Sequence, residues 1–263
     1  MEQYIASTAN QQVKNACELK QKKAREERGL FLVEGNKMLA EAASAGLLLR
    51  QLFVEQSRYE AERAFYDGLG AESVFTATES VIAKLSEWKT PQGSVGVVTV
   101  PEADWQSALA GNQALAVVLD GVSDPGNVGT IVRTAEACGV DVIFTTKGTA
   151  DCFQAKALRA SMGSAFRVAI REGLDPEEVV ALCRAQGLRL IATSLQGEEL
   201  AGFSAKGPKN ALVFGSEGSG ISACLAQNAD VLLRLPMAGR VESLNVAVSA
   251  GILMYRMFEL GRN

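Results

Sequence analysis

Three loops in the second half of the chain carry the residues whose types could do chemistry. The first loop, DGVSDPGNVGTIVRTA, follows the apolar run ALAVVLD and places Asn127 where a helix should begin. Arg133 comes six positions later, less than two helical turns along. An amide and a guanidinium at this spacing could flank one pocket for a polar ligand. The residues alone equally allow a helix cap at Asn127 and a surface position for Arg133.

The second loop, LVFGSEGSGIS, leads from an apolar run into Gly215, Gly218 and Gly220. Glycines at this density indicate a backbone that adopts positive φ or lies close to another group, such as a flat ligand on backbone amides. Glu217 lies among them and could cap a helix, or accept hydrogen bonds from a ligand or a partner subunit. A plain strand-to-helix turn would show the same pattern.

The third loop, LPMAGRVESLNVAVSAGILMYRM, is interrupted by Pro236 and Gly239 and then becomes a long apolar helix. Ser243 and Asn245 stand at the start of that helix. A polar entrance and an apolar body predict a site at the helix start and a face that packs on another helix, of this chain or of a second copy. Capping by Ser243 or Asn245 alone is the simpler alternative.

The composition excludes several classes of chemistry. The chain has no histidine, which removes imidazole bases, Ser-His-Asp and Cys-His pairs, and histidine-ligated metals. Its five cysteines are widely spaced without a CxxC pair, so neither a disulfide framework nor a metal site is predicted. The sequence also lacks the GxGxxG and GxxxxGK patterns of the common nucleotide-binding loops.

The chain starts with MEQYIASTAN, which lacks the basic and apolar regions of a signal peptide. No apolar run approaches the roughly 18 residues of a membrane span, so we expect a cytoplasmic protein without a membrane segment. The net charge is −4, yet residues 11–28 hold six basic and three acidic side chains. This local excess marks either a solvated helix face or a surface for an anionic partner.

Short apolar runs alternate with helical stretches along the chain, which predicts an α/β fold. Residues 1–100 form one predicted domain, and residues 101–112 form a linker with a short helix. Residues 113–263 form a second domain with five apolar runs of the kind that is buried on both faces of a mostly parallel sheet: ALAVVLD, VDVIFTT, LRLIAT, NALVFG and DVLLRLP. Its ligand is expected at the carboxyl ends of the strands.

In their order along the chain and in their residues, the three loops resemble the motifs of the SpoU, or TrmH, branch of the SPOUT family of RNA 2'-O-ribose methyltransferases. NVGTIVRTAEACG is similar to the first family motif, LVFGSEGSGIS to the second and LPMAGRVESLNVAVSAGI to the third. The segments VKNACELKQKKAREERGLFLVEGNKMLAEA and TPQGSVGVV resemble the L30e-like substrate-binding domain that precedes the catalytic domain in many members. The resemblance covers almost the whole chain.

The resemblance implies a mostly parallel α/β sandwich with a deep trefoil knot, preceded by a smaller L30e-like α/β domain. It implies S-adenosylmethionine as cofactor, no metal, and a homodimer formed through the knot region and the C-terminal helix. The residues that match the family's cofactor-binding positions are Thr193, Gly215, Ser216, Leu235, Met237, Leu244 and Asn245. Those that match the polar positions around the methyl acceptor are Asn127, Arg133, Glu217, Ser243 and Asn245.

Methyl transfer to a ribose hydroxyl requires in-line alignment of two reactants and removal of a weakly acidic proton. The family proposal gives the base role to the arginine at position 133. A guanidinium is a poor base, so Arg133 could instead stabilise the developing alkoxide or clamp a phosphate. Without histidine, Glu217 and a backbone or substrate oxygen are the other candidates for the proton acceptor.

RNA is the expected partner, with large-subunit rRNA as first choice and tRNA as the alternative. Methylation of a ribosomal drug site is a third option, and a non-catalytic RNA-binding or ribosome-assembly protein is a different class. Arg167 and Arg171 are expected near the catalytic face. The predicted RNA-binding residues are Lys14, Lys20, Lys22, Lys23, Arg25, Arg28, Lys156 and Arg159.

Overall fold

The computed structural model describes residues 3–102, 104–200, 207–239 and 243–261. The chain divides into two compact units, one of Met1–Pro101 with Phe153–Leu158 and the other of Glu102–Cys152 with Arg159–Asn263. Within the described ranges, no helix is long and apolar enough to cross a membrane.

The first unit contains a five-stranded mixed sheet in the order β1-β4-β3-β5-β2. Strands β1, β4 and β3 are parallel, and β5 runs antiparallel to both β3 and β2. The strands are β1 Gln3–Ile5, β2 Leu30–Glu34, β3 Leu49–Glu55, β4 Ser73–Ala77 and β5 Ser94–Thr99. The helices are α1 Gln11–Glu18, α2 Lys22–Arg28, α3 Asn36–Ser44, α4 Gln56–Ala61, α5 Arg63–Gly68 and α6 Glu79–Leu85.

The ends of the first helical stretch follow its capping residues. The side chain of Asn10 accepts a hydrogen bond from the backbone N–H of Gln12, and Gly29 ends α2 in the left-handed conformation at φ +61°. Between them the chain forms two helices, because Leu19 is buried and ends α1. The basic residues of this stretch are therefore divided between two helix surfaces.

The second unit contains a six-stranded parallel sheet in the order β11-β9-β10-β6-β7-β8. Its strands are β6 Ala114–Asp120, β7 Val142–Thr146, β8 Ala169–Leu174, β9 Arg189–Glu199, β10 Lys209–Gly215 and β11 Val231–Arg234. The helices after residue 101 are α7 Trp105–Ala108, α8 Pro125–Ala137, α9 Ala155–Ser161, α10 Pro176–Ala185, α11 Ala223–Gln227 and α12 Val246–Gly261, with a 3₁₀ turn at Ser164–Phe166.

The parallel α/β sheet predicted from the apolar runs is confirmed. β6 and β10 are central strands whose residues are almost all buried, as continuous apolar runs predict. Sequence analysis missed β8 at the sheet edge, because its polar and glycine residues break the apolar run. The predicted knot involves the third-loop segment, whose residues 240–242 lie outside the described residues, and it stays a prediction.

The ion pair between Glu136 of α8 and Arg167 after the 3₁₀ turn makes stability depend on pH. Hydrogen bonds from the Arg167 guanidinium lower the pKa of Glu136 below its ordinary value of 4.5, against desolvation, which raises it. A lowered folded-state pKa gives stability that is present above the unfolded-state value and is lost as pH falls through the folded-state value. We expect Glu136→Gln to lower the Tm by about 2 °C at pH 7 and to have a smaller effect at pH 3, where more of the Glu136 carboxylate is protonated.

Thermal unfolding of the two proteins at both pH values checks this expectation. Glu60→Gln, at an exposed carboxylate of α4 that bonds only a neighbouring glutamine side chain, is the matched control. An equal difference in Tm between wild type and Glu136→Gln at pH 7 and pH 3 would contradict the role of the ion pair.

Candidate functional site

The carboxyl ends of β6 and β10 bring the first and second loops together. Gly215, the last residue of β10, is in register with Asp120, the last residue of β6. Asp120 is buried, and its carboxylate accepts hydrogen bonds from the Thr146 hydroxyl (2.8 Å) and the Ser222 backbone N–H (2.6 Å). Asp120 thereby fixes the far end of the second loop to the sheet.

Asn127 lies in the first turn of α8 without capping it. The N-cap is Asp124, whose carboxylate accepts a hydrogen bond from the Asn127 backbone N–H at 2.9 Å, and Pro125 follows at the first helical position. The helix start is therefore satisfied by Asp124. The Asn127 side chain is left for other contacts.

Three predicted polar residues meet in one cluster, which we call the amide–carboxylate triad: Asn127, Glu217 and Asn245. The Asn245 amide donates to Oε1 of Glu217 at 2.8 Å and to Oδ1 of Asn127 at 3.1 Å. The Asn127 amide also donates to Oε1 of Glu217, at 3.1 Å. Each of the three loops thus contributes one side chain to the triad.

The start of α12 fixes the orientation of Asn245. Its side-chain oxygen accepts hydrogen bonds from the backbone N–H groups of Ala247 (3.0 Å) and Val248 (3.3 Å). Because the oxygen caps the helix, the amide nitrogen must face the other two members of the triad. Asn245 is therefore both a helix cap and a donor in the triad. The two roles considered from the sequence, capping of the helix and a place in a polar site, are thus compatible.

The second loop folds back on itself between Ser216 and Gly220. Each of these residues donates its backbone N–H to the carbonyl of the other, at 3.0 and 2.9 Å. This closure leaves no room at Gly215, where a Cβ atom would lie 2.1 Å from the Gly220 carbonyl carbon. The glycine at position 215 is thus required by a close approach of backbone, as one interpretation of the sequence held.

A cavity of about 480 Å³ opens beside this loop, within the usual size of small-ligand sites. Asn245 is not among its lining residues, but it follows two of them directly in sequence. Glu217 and Ser243 of the predicted acceptor group also line the cavity. Six of the seven predicted cofactor-binding residues line it: Thr193, Gly215, Ser216, Leu235, Met237 and Leu244.

The lining of the cavity fits a nucleoside that carries an amino acid, such as S-adenosylmethionine. Phe214 and Leu233 are buried and give an apolar wall for a flat base. Arg234 also lines the cavity; its Nη2 pairs with Glu199 at 2.6 Å, while its Nε is a buried donor without a hydrogen-bond partner in the described structure. A carboxylate is the natural acceptor for such a donor.

Arg133 lies on the exposed surface of α8, outside the cavity lining. Six positions along a helix rotate a side chain by about 120° away from the starting face, so Arg133 and Asn127 do not share one. Arg133 forms no hydrogen bond or ion pair with any residue that the structure describes. Within a single chain Asn127 and Arg133 therefore lie on different faces of α8, a pocket shared by the two stays a prediction, and the Arg133 cation is available to a ligand.

The structure assigns internal roles to some of the predicted RNA-binding residues. Arg25 is buried and donates to the carbonyls of Leu19 and Lys20, which corrects its prediction as an RNA contact. The Lys20 ammonium donates to the carbonyls of Lys84 and Ser86. These two cations hold the ends of helices, because helix carbonyls without intrahelical partners need donors.

Other predicted cations remain on the surface. Lys14, Lys22 and Lys23 are exposed, the last two with glutamates one turn along α2. Arg28 pairs with Glu18, and Lys156 and Arg159 are exposed on α9. Of the further cations expected near the site, Arg167 pairs with Glu136, and Arg171 lies 5.7 Å above the Trp105 ring. RNA contact by the exposed cations stays a prediction.

In the part of the chain that the structure describes, no group of three or more Cys, Asp or Glu side chains could hold a metal ion. Sequence analysis missed Asp120 and Arg234. The signal for Asp120 is a charged residue at the end of an otherwise apolar strand. Arg234 precedes the third loop, and its position in the cavity depends on how β11 pairs with β9.

Residues 114–255 match the family model described as the SpoU rRNA Methylase family, and they include the first two loops and all but the last two residues of the third. The chain belongs to the SpoU rRNA methylase family. Residues 10–96 match a second model, described as the MRM3-like substrate binding domain. The family predicted from the sequences of the three loops is thereby confirmed.

Relatives of this SpoU methylase match along almost its full length. The 23S rRNA (guanosine(2553)-2'-O)-methyltransferase RlmP of Bacillus subtilis is 33% identical over 96% of this chain and 98% of its own. An AdoMet-bound rRNA methyltransferase from Sinorhizobium meliloti has a TM-score of 0.86 at 33% identity, covering 99% and 98%. AviRb from Streptomyces viridochromogenes, also solved with AdoMet, has a TM-score of 0.86 at 27% identity, covering 97% and 99%.

The hydrogen bonds of the triad predict how methyl transfer by this SpoU methylase responds when the amide nitrogen of Asn245 is replaced by an oxygen. Asn245→Asp keeps the helix cap but places a carboxylate against Glu217, because the group that faces Oε1 loses its N–H donors. We expect methyl transfer to fall about 100-fold while the Tm stays within a few degrees. Adding Glu217→Gln supplies a donor to the new carboxylate and should recover about tenfold.

The check is a double-mutant cycle on the methyl-transfer rate, with wild type, both single variants and the double variant. Thermal unfolding of all four proteins controls for loss of the α12 cap. Equal rates for Asn245→Asp with and without Glu217→Gln would contradict a direct coupling between the two side chains.

Proposed function

We propose that this chain transfers the methyl group of S-adenosylmethionine to a ribose 2'-OH in large-subunit rRNA. The observation that carries the proposal is the cavity lined by six predicted cofactor residues, which adjoins the amide–carboxylate triad. The full-length similarity to a 23S rRNA 2'-O-methyltransferase supports the choice of substrate class. The AdoMet-bound neighbours support the choice of methyl donor.

When bound, S-adenosylmethionine supplies an electrophilic methyl group, so the residues of the chain need only align the acceptor and handle its proton. Oε1 of Glu217 is held by two amides, while Oε2 has no partner in the described structure. Glu217 is thereby fixed at the mouth of the cavity and can accept a hydrogen bond from the ribose. Arg133 supplies a positive charge for an alkoxide or a phosphate.

In this proposal the two predicted domains have different functions. Residues 1–100 bind RNA, residues 113–263 bind the cofactor and catalyse transfer, and residues 101–112 join them. The match of residues 10–96 to a substrate-binding domain supports this division. A large-subunit rRNA substrate supports the expected location in the cytoplasm.

We infer that the active unit is a homodimer formed through α12. Val248, Ile252 and Tyr255 are exposed apolar side chains at helical spacing on one face of α12, and Leu244 is exposed just before its start. Gly251 lies beside this face and close to Thr134 of α8. A second copy that covers this apolar face would lie close to Arg133, which directly precedes Thr134 in α8.

Transfer of tritiated methyl groups tests the proposed function. Large-subunit rRNA transcribed in vitro and unmodified total tRNA are incubated separately with the wild-type protein and labelled S-adenosylmethionine. Label in the rRNA alone is expected. Label in tRNA alone would support the tRNA alternative, and no label in either RNA would favour a non-catalytic RNA-binding protein.

A further inference from the structure

A second cavity, of about 350 Å³, lies within the first unit at one end of the mixed sheet. It opens where β2, β3 and β4 begin and β5 ends, and α1 covers it. The apolar part of its lining includes Ala16, Leu19 and Val97, which are buried. This cavity shares no residue with the three loops of the candidate active site.

Three side-chain amides face this cavity, those of Gln12, Asn15 and Gln51. Gln51 donates to the side-chain oxygen of Gln12 at 2.8 Å, and Gln11 donates to that of Asn15 at 2.7 Å. The amide nitrogens of Gln12 and Asn15 and the amide oxygen of Gln51 have no partner among the described residues. Reversing the Gln12–Gln51 pair would leave the same number of free donors and acceptors.

Two arginines and the carboxylate of Glu72 also line the cavity, and the charges of the arginines are already balanced. Arg50 pairs with Glu72 at 2.6 Å. Arg28 pairs with Glu18 and also donates to the Asn15 carbonyl at 3.1 Å. The carboxylates hold both guanidinium planes in place and weaken the attraction of this cavity for a bare phosphate.

The chemistry of the cavity therefore selects a flat, neutral and polar ligand. Free amide donors and acceptors read the edge of a nucleobase, and guanidinium planes stack on its face. Single-stranded RNA presents such bases when they are splayed out of a loop. A small cavity with an apolar floor and an amide rim matches one base better than it matches a phosphate chain.

We propose that this cavity receives one unpaired nucleobase of the RNA substrate, with Gln12, Asn15 and Gln51 bonded to its edge. The proposal rests on the proposed function, because it names how the substrate is held. It gives the first unit a base-reading site in addition to its exposed cations.

The double variant Gln12→Leu/Gln51→Leu tests the site in the full-length protein. It replaces both partners of one hydrogen bond by apolar groups of similar size, which leaves no unsatisfied polar group behind. We expect about a tenfold loss of affinity for large-subunit rRNA transcribed in vitro, with kcat and S-adenosylmethionine affinity unchanged. Asn15→Ala is an independent second variant, for which a loss of about fivefold is expected.

Filter binding at a series of salt concentrations separates base contacts from phosphate contacts. Loss of a base contact lowers affinity at every salt concentration without changing the slope of log affinity against log salt, whereas loss of a phosphate contact makes the slope shallower. We therefore expect parallel lines for wild type and the variants. Gln56→Leu, at an exposed glutamine of α4, is the matched control and should bind as wild type does.

Affinity within twofold of wild type for both Gln12→Leu/Gln51→Leu and Asn15→Ala would overturn the proposal, and so would a shallower salt slope. Failure of the proposed function has a different signature, because the wild-type protein itself would then label no large-subunit rRNA. In that case the base site fails with it. If the wild type labels rRNA and the variants bind it normally, only the base site is rejected.

Discussion

Arg133→Ala is expected to reduce methyl transfer about 100- to 1,000-fold while S-adenosylmethionine binding stays within about twofold of wild type. The Arg133 guanidinium is exposed, lies outside the cavity lining and has no partner among the described residues, so its removal costs neither packing nor cofactor contacts. We propose that this cation acts on the RNA or on the transition state. Single-turnover transfer and calorimetric titration with the cofactor measure the two quantities separately.

Arg133→Lys distinguishes the roles that remain open for this cation. A lysine keeps the charge but loses the planar, bidentate fork, so partial recovery indicates stabilisation of a developing alkoxide and no recovery indicates a bidentate phosphate clamp. Arg63→Ala, at an arginine paired with Asp67 on α5, is the control for loss of a surface charge. Activity of Arg133→Ala within tenfold of wild type would contradict the assignment.

Gly215→Ala is expected to weaken S-adenosylmethionine binding about 100-fold. The added Cβ would overlap the backbone of Gly220 and Ile221, at 2.1 to 2.3 Å, and backbone cannot rotate away as a side chain can. The second loop must therefore move, and this loop lines the cavity. A cost at the upper end of overpacking corresponds to a factor of this size.

Gly218→Ala provides a control within the same loop. A Cβ at this position meets no atom within 4 Å, and its backbone is not in the left-handed region. We expect a loss of less than about threefold in cofactor affinity, measured by the same calorimetric titration. Equal losses for Gly215→Ala and Gly218→Ala would show that the close approach at Gly215 is not what shapes the cavity.

Local signals in the sequence predicted much of the fold. Asn10 and Gly29 mark helix ends because one supplies a side-chain acceptor and the other tolerates positive φ, and both effects act within a few residues. The apolar runs of β6 and β10 predicted a buried parallel sheet, because burial on both faces requires apolar residues at successive positions of a strand. The edge strand β8 was not predicted, because an edge strand can have polar residues on its exposed face.

The candidate site depends on contacts between residues that are far apart in the sequence, and sequence motifs predict such contacts only in part. The loops gave the members of the triad, but the capping of α8 by Asp124 and the anchoring of the second loop by Asp120 needed the structure. Charge counting along residues 11–28 overestimated the accessible cations, because Lys20 and Arg25 satisfy carbonyls within the fold. The six-residue spacing along α8, by contrast, already implies that Arg133 turns away from Asn127 once the helix is established.

Alkaline hydrolysis of the labelled RNA product tests the central claim most directly. A free 2'-OH is the nucleophile in alkaline cleavage of RNA, so a 2'-O-methylated nucleotide resists it. We expect tritium transferred to large-subunit rRNA to be recovered in an alkali-resistant dinucleotide, and we expect Arg133→Ala to remove this label. Recovery of the label in mononucleotides would place the methyl group on a base and contradict ribose methylation.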